Sequence, residues 1–174
     1  ACATLANGSL YCWGSNGRGQ LGDMNLNWSN QGAVLADMGG NGPVRLSEFD
    51  KDADGVLDIF DTHMQNPTSF AISDGSSCAV IDNSSLYCWG WNGYGQLGDN
   101  TTIDSSTPVL VNTPAGRDAI LVSGGGEGFC AILDNGSLYC WGANIDGQLG
   151  AGYTSTRETS PQQVSLPTGR TATS

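Results

Sequence analysis

The sequence predicts an all-β fold built from three copies of one small unit. Three observations carry this. Glycine is the commonest residue, 26 of 174, and the apolar 39% is spread over short runs, the pattern of many strands joined by tight turns. A stretch of 22 residues recurs in register: CATLANGSLYCWGSNGRGQLGD from Cys2 to Asp23, CAVIDNSSLYCWGWNGYGQLGD from Cys78 to Asp99, and CAILDNGSLYCWGANIDGQLGA from Cys130 to Ala151. Internal repetition at this spacing marks a repeat architecture.

Each copy reads as a hairpin. Cys-Ala and the two residues after it make one strand, and Ser-Leu-Tyr-Cys-Trp makes its partner. Between them lie Ala6-Asn7-Gly8, Asp82-Asn83-Ser84 or Asp134-Asn135-Gly136, three-residue loops of the kind closed by a left-handed residue. Ser84 must take that conformation without glycine's freedom. A loop centred on Asn135 sets Cys130 opposite Cys140, and the same register pairs Cys2 with Cys12 and Cys78 with Cys88. Opposed residues of antiparallel strands come within about 4.5–5.5 Å, which a disulfide spans. Each bridge is expected to stabilise its hairpin by roughly 2–3 kcal/mol. Three local pairs predict an oxidising compartment. Zinc is the rival ligand, but the sequence has no Cys-x-x-Cys and only one histidine, His63.

The signature W-G-x-N-x-x-G-Q-L-G resembles the repeat of the regulator of chromosome condensation family, a blade of about fifty residues in seven-bladed β-propellers. The cysteine-flanked hairpin resembles the versions found in secreted bacterial proteins. The resemblance implies three blades of a partial propeller over residues 1–174, with repeats near 1–39 plus 67–77, 78–129 and 130–174. It implies that Leu21, Leu97 and Leu149 are buried at blade boundaries and that Trp13, Trp89 and Trp141 are blade core. The chain starts just after the strand that should precede copy one and stops where a fourth copy would begin. It is therefore expected to be a piece of a longer propeller, the alternative being copies that associate through open blade edges.

Copies two and three are 52 positions apart, but Cys2 and Cys78 are 76 apart. The excess is an insert over residues 40–66, predicted to bind calcium. Asp50, Asp52 and Asp54 occupy positions one, three and five of a twelve-residue loop, Gly55 position six, Val56 position seven, Asp58 position nine and Asp61 position twelve. Carboxylates at this spacing converge on a hard cation, the glycine allows the sharp turn, and Val56 offers its backbone carbonyl. Aspartate at position twelve, with Asn66-Pro67 following, resembles a thrombospondin type 3 or dockerin-like loop. The Ca2+ is expected to be structural and suited to extracellular concentrations.

Composition narrows the function. Seventeen Asp and Glu against six Lys and Arg give a net charge of −11, which opposes nucleic-acid binding because phosphate contacts need clustered cations. No apolar run approaches the ~20 residues of a membrane-spanning helix. No catalytic constellation is visible: Gly124-Gly125-Gly126 lacks the Lys-Ser/Thr of a phosphate loop, and His63 stands beside the acidic insert. The expected role is a non-enzymatic, secreted or cell-surface scaffold that binds a protein, or a surface glycan, through loops. Met24–Asn30, Asn100–Thr107 and Gly152–Ser160 are the candidate contact stretches. The alternatives are guanine-nucleotide exchange on a small GTPase and the propeller part of a larger secreted enzyme.

Overall fold

The computed structural model describes residues 1–4, 10–22, 29–35, 67–81 and 83–173. Eleven strands and no helix occur among them. They are β1 (Cys2–Thr4), β2 (Leu10–Ser15), β3 (Ser29–Leu35), β4 (Pro67–Ser73), β5 (Ser76–Ile81), β6 (Leu86–Gly90), β7 (Ser105–Leu110), β8 (Ala119–Gly125), β9 (Gly128–Leu133), β10 (Leu138–Ala143) and β11 (Arg157–Gln163).

The strands form three antiparallel meanders: β1-β2-β3, β4-β5-β6-β7 and β8-β9-β10-β11. The all-β class, with one sheet for each copy of the motif, is as the sequence predicts. The sheets are out of phase with the Cys-to-Cys repeat by one strand. β4 ends before Cys78 but pairs with β5, and β8 ends before Cys130 but pairs with β9.

Composition explains the position of each strand in its sheet. β5, Ser-Ser-Cys-Ala-Val-Ile, lies between β4 and β6 and is buried along its length. β7 and β11 carry Pro108 and Pro161 and form sheet edges, where a residue without an N–H leaves no ladder bond unmade. The inner strands β4 and β8 come together. Ser69 Oγ accepts the Val122 N–H at 3.1 Å, and the Asp74 N–H donates to Gly126 O at 2.9 Å. Gly124 is so close that an added Cβ would stand 2.7 Å from Ile72 O.

The hairpin loops behave as their sequences require. In the second and third sheets the residue closing the turn donates back across it, Ser84 N–H to Ile81 O and Gly136 N–H to Leu133 O, each at 2.8 Å. Ser84 has φ 65°, the left-handed conformation that Gly136 takes at 74°. The registers pair Cys2 with Cys12, Cys78 with Cys88 and Cys130 with Cys140. In each pair the sulfurs are bonded and the Cα atoms lie 4.0 Å apart.

Candidate functional site

The repeated motif builds one turn three times, at the end of each blade where β2, β6 and β10 finish. A register irregularity at the tryptophan, between Cys12 and Gly14, Cys88 and Gly90, and Cys140 and Gly142, bends the strand into this turn. The asparagine then organises it. Asn16, Asn92 and Asn144 are buried, and the Oδ1 of each accepts the N–H of the leucine five residues on, at 3.0, 2.9 and 3.2 Å. The Oε1 of Gln20, Gln96 and Gln148 accepts the N–H two residues back, on Arg18, Tyr94 and Asp146. Leu21, Leu97 and Leu149 are buried, as the sequence predicts.

Blade contacts run through the same turn. The Trp89 indole N–H donates to Gln20 O of the first blade at 3.1 Å, and the Trp141 N–H donates to Gln96 O of the second at 2.8 Å. Glycine is required beside each indole: a Cβ on Gly22 would lie 2.7 Å from Trp89 Nε1, and one on Gly98 would lie 3.0 Å from Trp141 Nε1. Trp89 and Trp141 are fully buried, whereas Trp13 is 37% exposed. The expectation that all three tryptophans are core is corrected for Trp13. A tryptophan here is covered by the preceding blade's Gly-Gln-Leu-Gly turn, and among the described residues no such turn lies against Trp13.

With the asparagine and leucine of each copy turned inward, most of the variable positions of W-G-x-N-x-x-G-Q-L-G remain near the surface, Ala143 being the buried exception. In the first two blades these include Arg18, Trp91 and Tyr94. The Arg18 guanidinium carbon lies 4.1 Å from the Trp91 ring centroid, a cation–π contact between blades. Tyr94 meets Trp91 edge-on at 5.5 Å and 85°. Arg157 of the third blade donates from Nη1 to Gly93 O at 2.7 Å. The third blade adds Ile145 and Tyr153, both exposed. Desolvation, and then the nearby Glu158 carboxylate, raise the Tyr153 hydroxyl above its ordinary pKa. Sequence reading had not singled out Arg18, Trp91 or Tyr94; their signal was that they vary inside an otherwise constant motif.

The calcium-loop residues Asp50, Asp52, Asp54, Val56, Asp58 and Asp61, together with His63, lie outside the described residues. Of the candidate contact stretch Met24–Asn30, residues 24–28 also lie outside them, and Ser29 and Asn30 begin β3. The other two are only partly loops, since β7 begins at Ser105 and β11 at Arg157. Among the described residues no three His, Cys, Asp or Glu side chains converge as a metal site would require. A shallow cavity of about 510 Å³ lies between Asn135–Leu138 and Gln163–Thr171. Arg170 is the one ionisable side chain of its lining, so it offers no acid–base pair. No helix among the described residues is long and apolar enough to cross a membrane.

A model of the regulator of chromosome condensation (RCC1) repeat matches residues 83–132 and 135–174, and a second model of that repeat matches 1–20 and 119–148. The chain belongs to the RCC1 repeat family. The mitochondrial RCC1 domain-containing protein RUG3 of Arabidopsis thaliana is 26% identical over 166 residues, which cover 95% of this chain and 32% of RUG3. The crystal structure of human WBSCR16 superposes with a TM-score of 0.70 at 20% identity, covering 94% of this chain and 35% of that one. Prp20p from Saccharomyces cerevisiae, whose structure was reported with its binding to Gsp1p and histones, gives a TM-score of 0.62 at 21% identity, over 92% of this chain and 35% of its own. The chain thus spans about a third of the length of each of these three proteins. The structural likeness establishes the fold: three sheets of an RCC1-type propeller.

Proposed function

We propose that this chain is part of an extracellular or cell-surface binding scaffold, acting on another protein through the turn-end surface of its blades. The observation that supports this best is how the RCC1 motif divides its residues. Constant side chains hold the turns and dock neighbouring blades, and most of the variable ones are left at the surface. Such an arrangement suits recognition, in which function lies in residues grafted on a shared fold. The disulfide within each blade favours an oxidising compartment. A structural Ca2+ held by Asp50, Asp52, Asp54, Asp58, Asp61 and the Val56 carbonyl belongs to the same reading and rests on the sequence spacing.

Similarity to Prp20p favours one second reading, nucleotide exchange on a small GTPase. The two are separated by labelling cells that make the full-length protein with a membrane-impermeant biotin reagent, and by titrating its thiols without reductant. Surface labelling with blocked cysteines is expected, together with no acceleration of GDP release from Gsp1p. Cytoplasmic protein with free thiols overturns the scaffold reading, and stimulated GDP release replaces it with exchange.

A further inference from the structure

Trp91 is out of keeping with its position. The corresponding residues of the other two blades are Ser15 and Ala143, both small. In the first blade Ser15 Oγ stands 3.4 Å from Gln20 Nε2 and accepts its hydrogen bond. In the second blade tryptophan replaces that hydroxyl, and Gln96 Nε2 is buried with no hydrogen-bond partner. An unmade hydrogen bond in a fully buried amide costs about 1–3 kcal/mol, and leaving part of an indole at the surface adds nothing to the core. The indole's contacts are with Arg18 and Tyr94, outside the core, and a residue that gives up a buried hydrogen bond for such contacts points to a role outside the fold.

Its neighbours suggest what that role is. The Arg18 guanidinium lies over the indole, and its backbone N–H donates to Gln20 Oε1. The edges of its guanidinium are unpaired among the described residues. Arg157 reaches the same turn, with Nη1 on Gly93 O, and the rest of its fork has no partner among the described residues. The four described cations divide evenly between the ends of the blades. Arg117 and Arg170 lie in the connections at the hairpin end, Arg117 paired with Asp134 at 3.5 Å, while Arg18 lies over Trp91 and Arg157 bonds Gly93 O.

We infer that Arg18, Trp91, Tyr94 and Arg157 form the centre of a protein-docking surface that receives a single Asp or Glu side chain on a partner loop. This deepens the scaffold reading and rests on it. An arginine held over an aromatic ring is restrained in position and still offers its N–H fork to a carboxylate. Tryptophan, tyrosine and arginine are the residues that dominate interface energetics. A polyacidic partner is disfavoured, because the chain carries a net charge of −11 and Asp74 lies in the turn beside Gly75, whose O accepts the Trp91 backbone N–H. A pyranose is disfavoured too. Arg18 covers one face of Trp91 and Tyr94 crowds the ring at 85°, so the indole is a poor stacking platform.

The test is selection of a phage-displayed random heptapeptide library against the oxidised chain, followed by titration of the enriched peptides. The expected peptides carry one Asp or Glu at a fixed position beside apolar residues. Arg18→Gln and Trp91→Ser should each weaken them by roughly thirtyfold, the loss typical of a hot spot, and Arg117→Gln should leave them unchanged. Trp91→Ser returns a partner to Gln96 Nε2, so its unfolding midpoint should not fall, which separates lost binding from lost fold. Peptides that bind equally to all variants, or that lack the acidic residue, overturn the docking surface and leave the scaffold reading standing. If no peptide is enriched, the docking surface is overturned. If, in addition, the full-length protein is cytoplasmic with free thiols, the scaffold reading falls with it.

Discussion

Replacing Trp141 by phenylalanine should destabilise the chain far more than the same change at Trp89, though both indoles are fully buried and sit at equivalent positions. Both substitutions replace a two-ring indole by a single ring in a closed site, a loss of about 1–2 kcal/mol in packing. The difference lies in the carbonyl left behind. Gln20 O accepts the Trp89 N–H and also the Ser77 hydroxyl, at 3.1 and 3.0 Å. Gln96 O accepts the Trp141 N–H at 2.8 Å, and the residue matching Ser77 in the third blade is Phe129, which carries no donor. Trp141→Phe therefore strands a buried carbonyl, adding about 1–3 kcal/mol, and it also disturbs the Phe129–Trp141 stack at 6.1 Å. The expected losses are roughly 3 kcal/mol for Trp141→Phe and about 1.5 kcal/mol for Trp89→Phe. Urea unfolding without reductant, followed by far-ultraviolet circular dichroism, reads both, provided the denaturant slopes agree. Equal losses, or a greater loss at Trp89, would refute the reasoning that the inter-blade carbonyl governs the coupling.

Two further perturbations probe other parts of the account. Gly98→Ala places a Cβ 2.9 Å from Val111 Cγ1 and 3.0 Å from Trp141 Nε1 at φ +64°, whereas Gly150→Ala meets only Val164, at 3.1 Å and φ +68°. The left-handed penalty of about 1–2 kcal/mol is common to both, so the same unfolding assay should show Gly98→Ala the more damaging. Replacing Cys130 and Cys140 together by serine should cost about 2–3 kcal/mol, the loop-closure value for a bridge spanning ten positions. It should lower the thermal midpoint under oxidising conditions and leave the midpoint in excess reductant nearly unchanged.

Local chemistry was legible in the sequence, and contacts between repeats were less so. The disulfide register follows from a three-residue loop, which is why the pairing of Cys130 with Cys140 and the positive φ of Ser84 could be read directly. The burial of Leu21, Leu97 and Leu149 came from the family resemblance. Trp13 was misjudged because a blade tryptophan is buried by its neighbour's turn and not by its own hairpin. The outer strands were hidden for a different reason. Ser105-Ser-Thr-Pro and Arg157-Glu-Thr-Ser are polar edge segments that show little apolar alternation and look like loops. The Arg18–Trp91 contact joins positions 73 apart, and no periodicity within one repeat announces it.

The proposed scaffold is an oxidised, calcium-loaded protein outside the reducing cytosol, and native mass spectrometry tests that proposal most directly. The full-length protein should be collected from the medium or the cell surface without reductant, and spectra recorded before and after chelation. The prediction is that the six cysteines of this region resist alkylation and that one calcium ion is lost to the chelator but restored on adding Ca2+. Alkylated cysteines, or a mass unchanged by chelator, would contradict it.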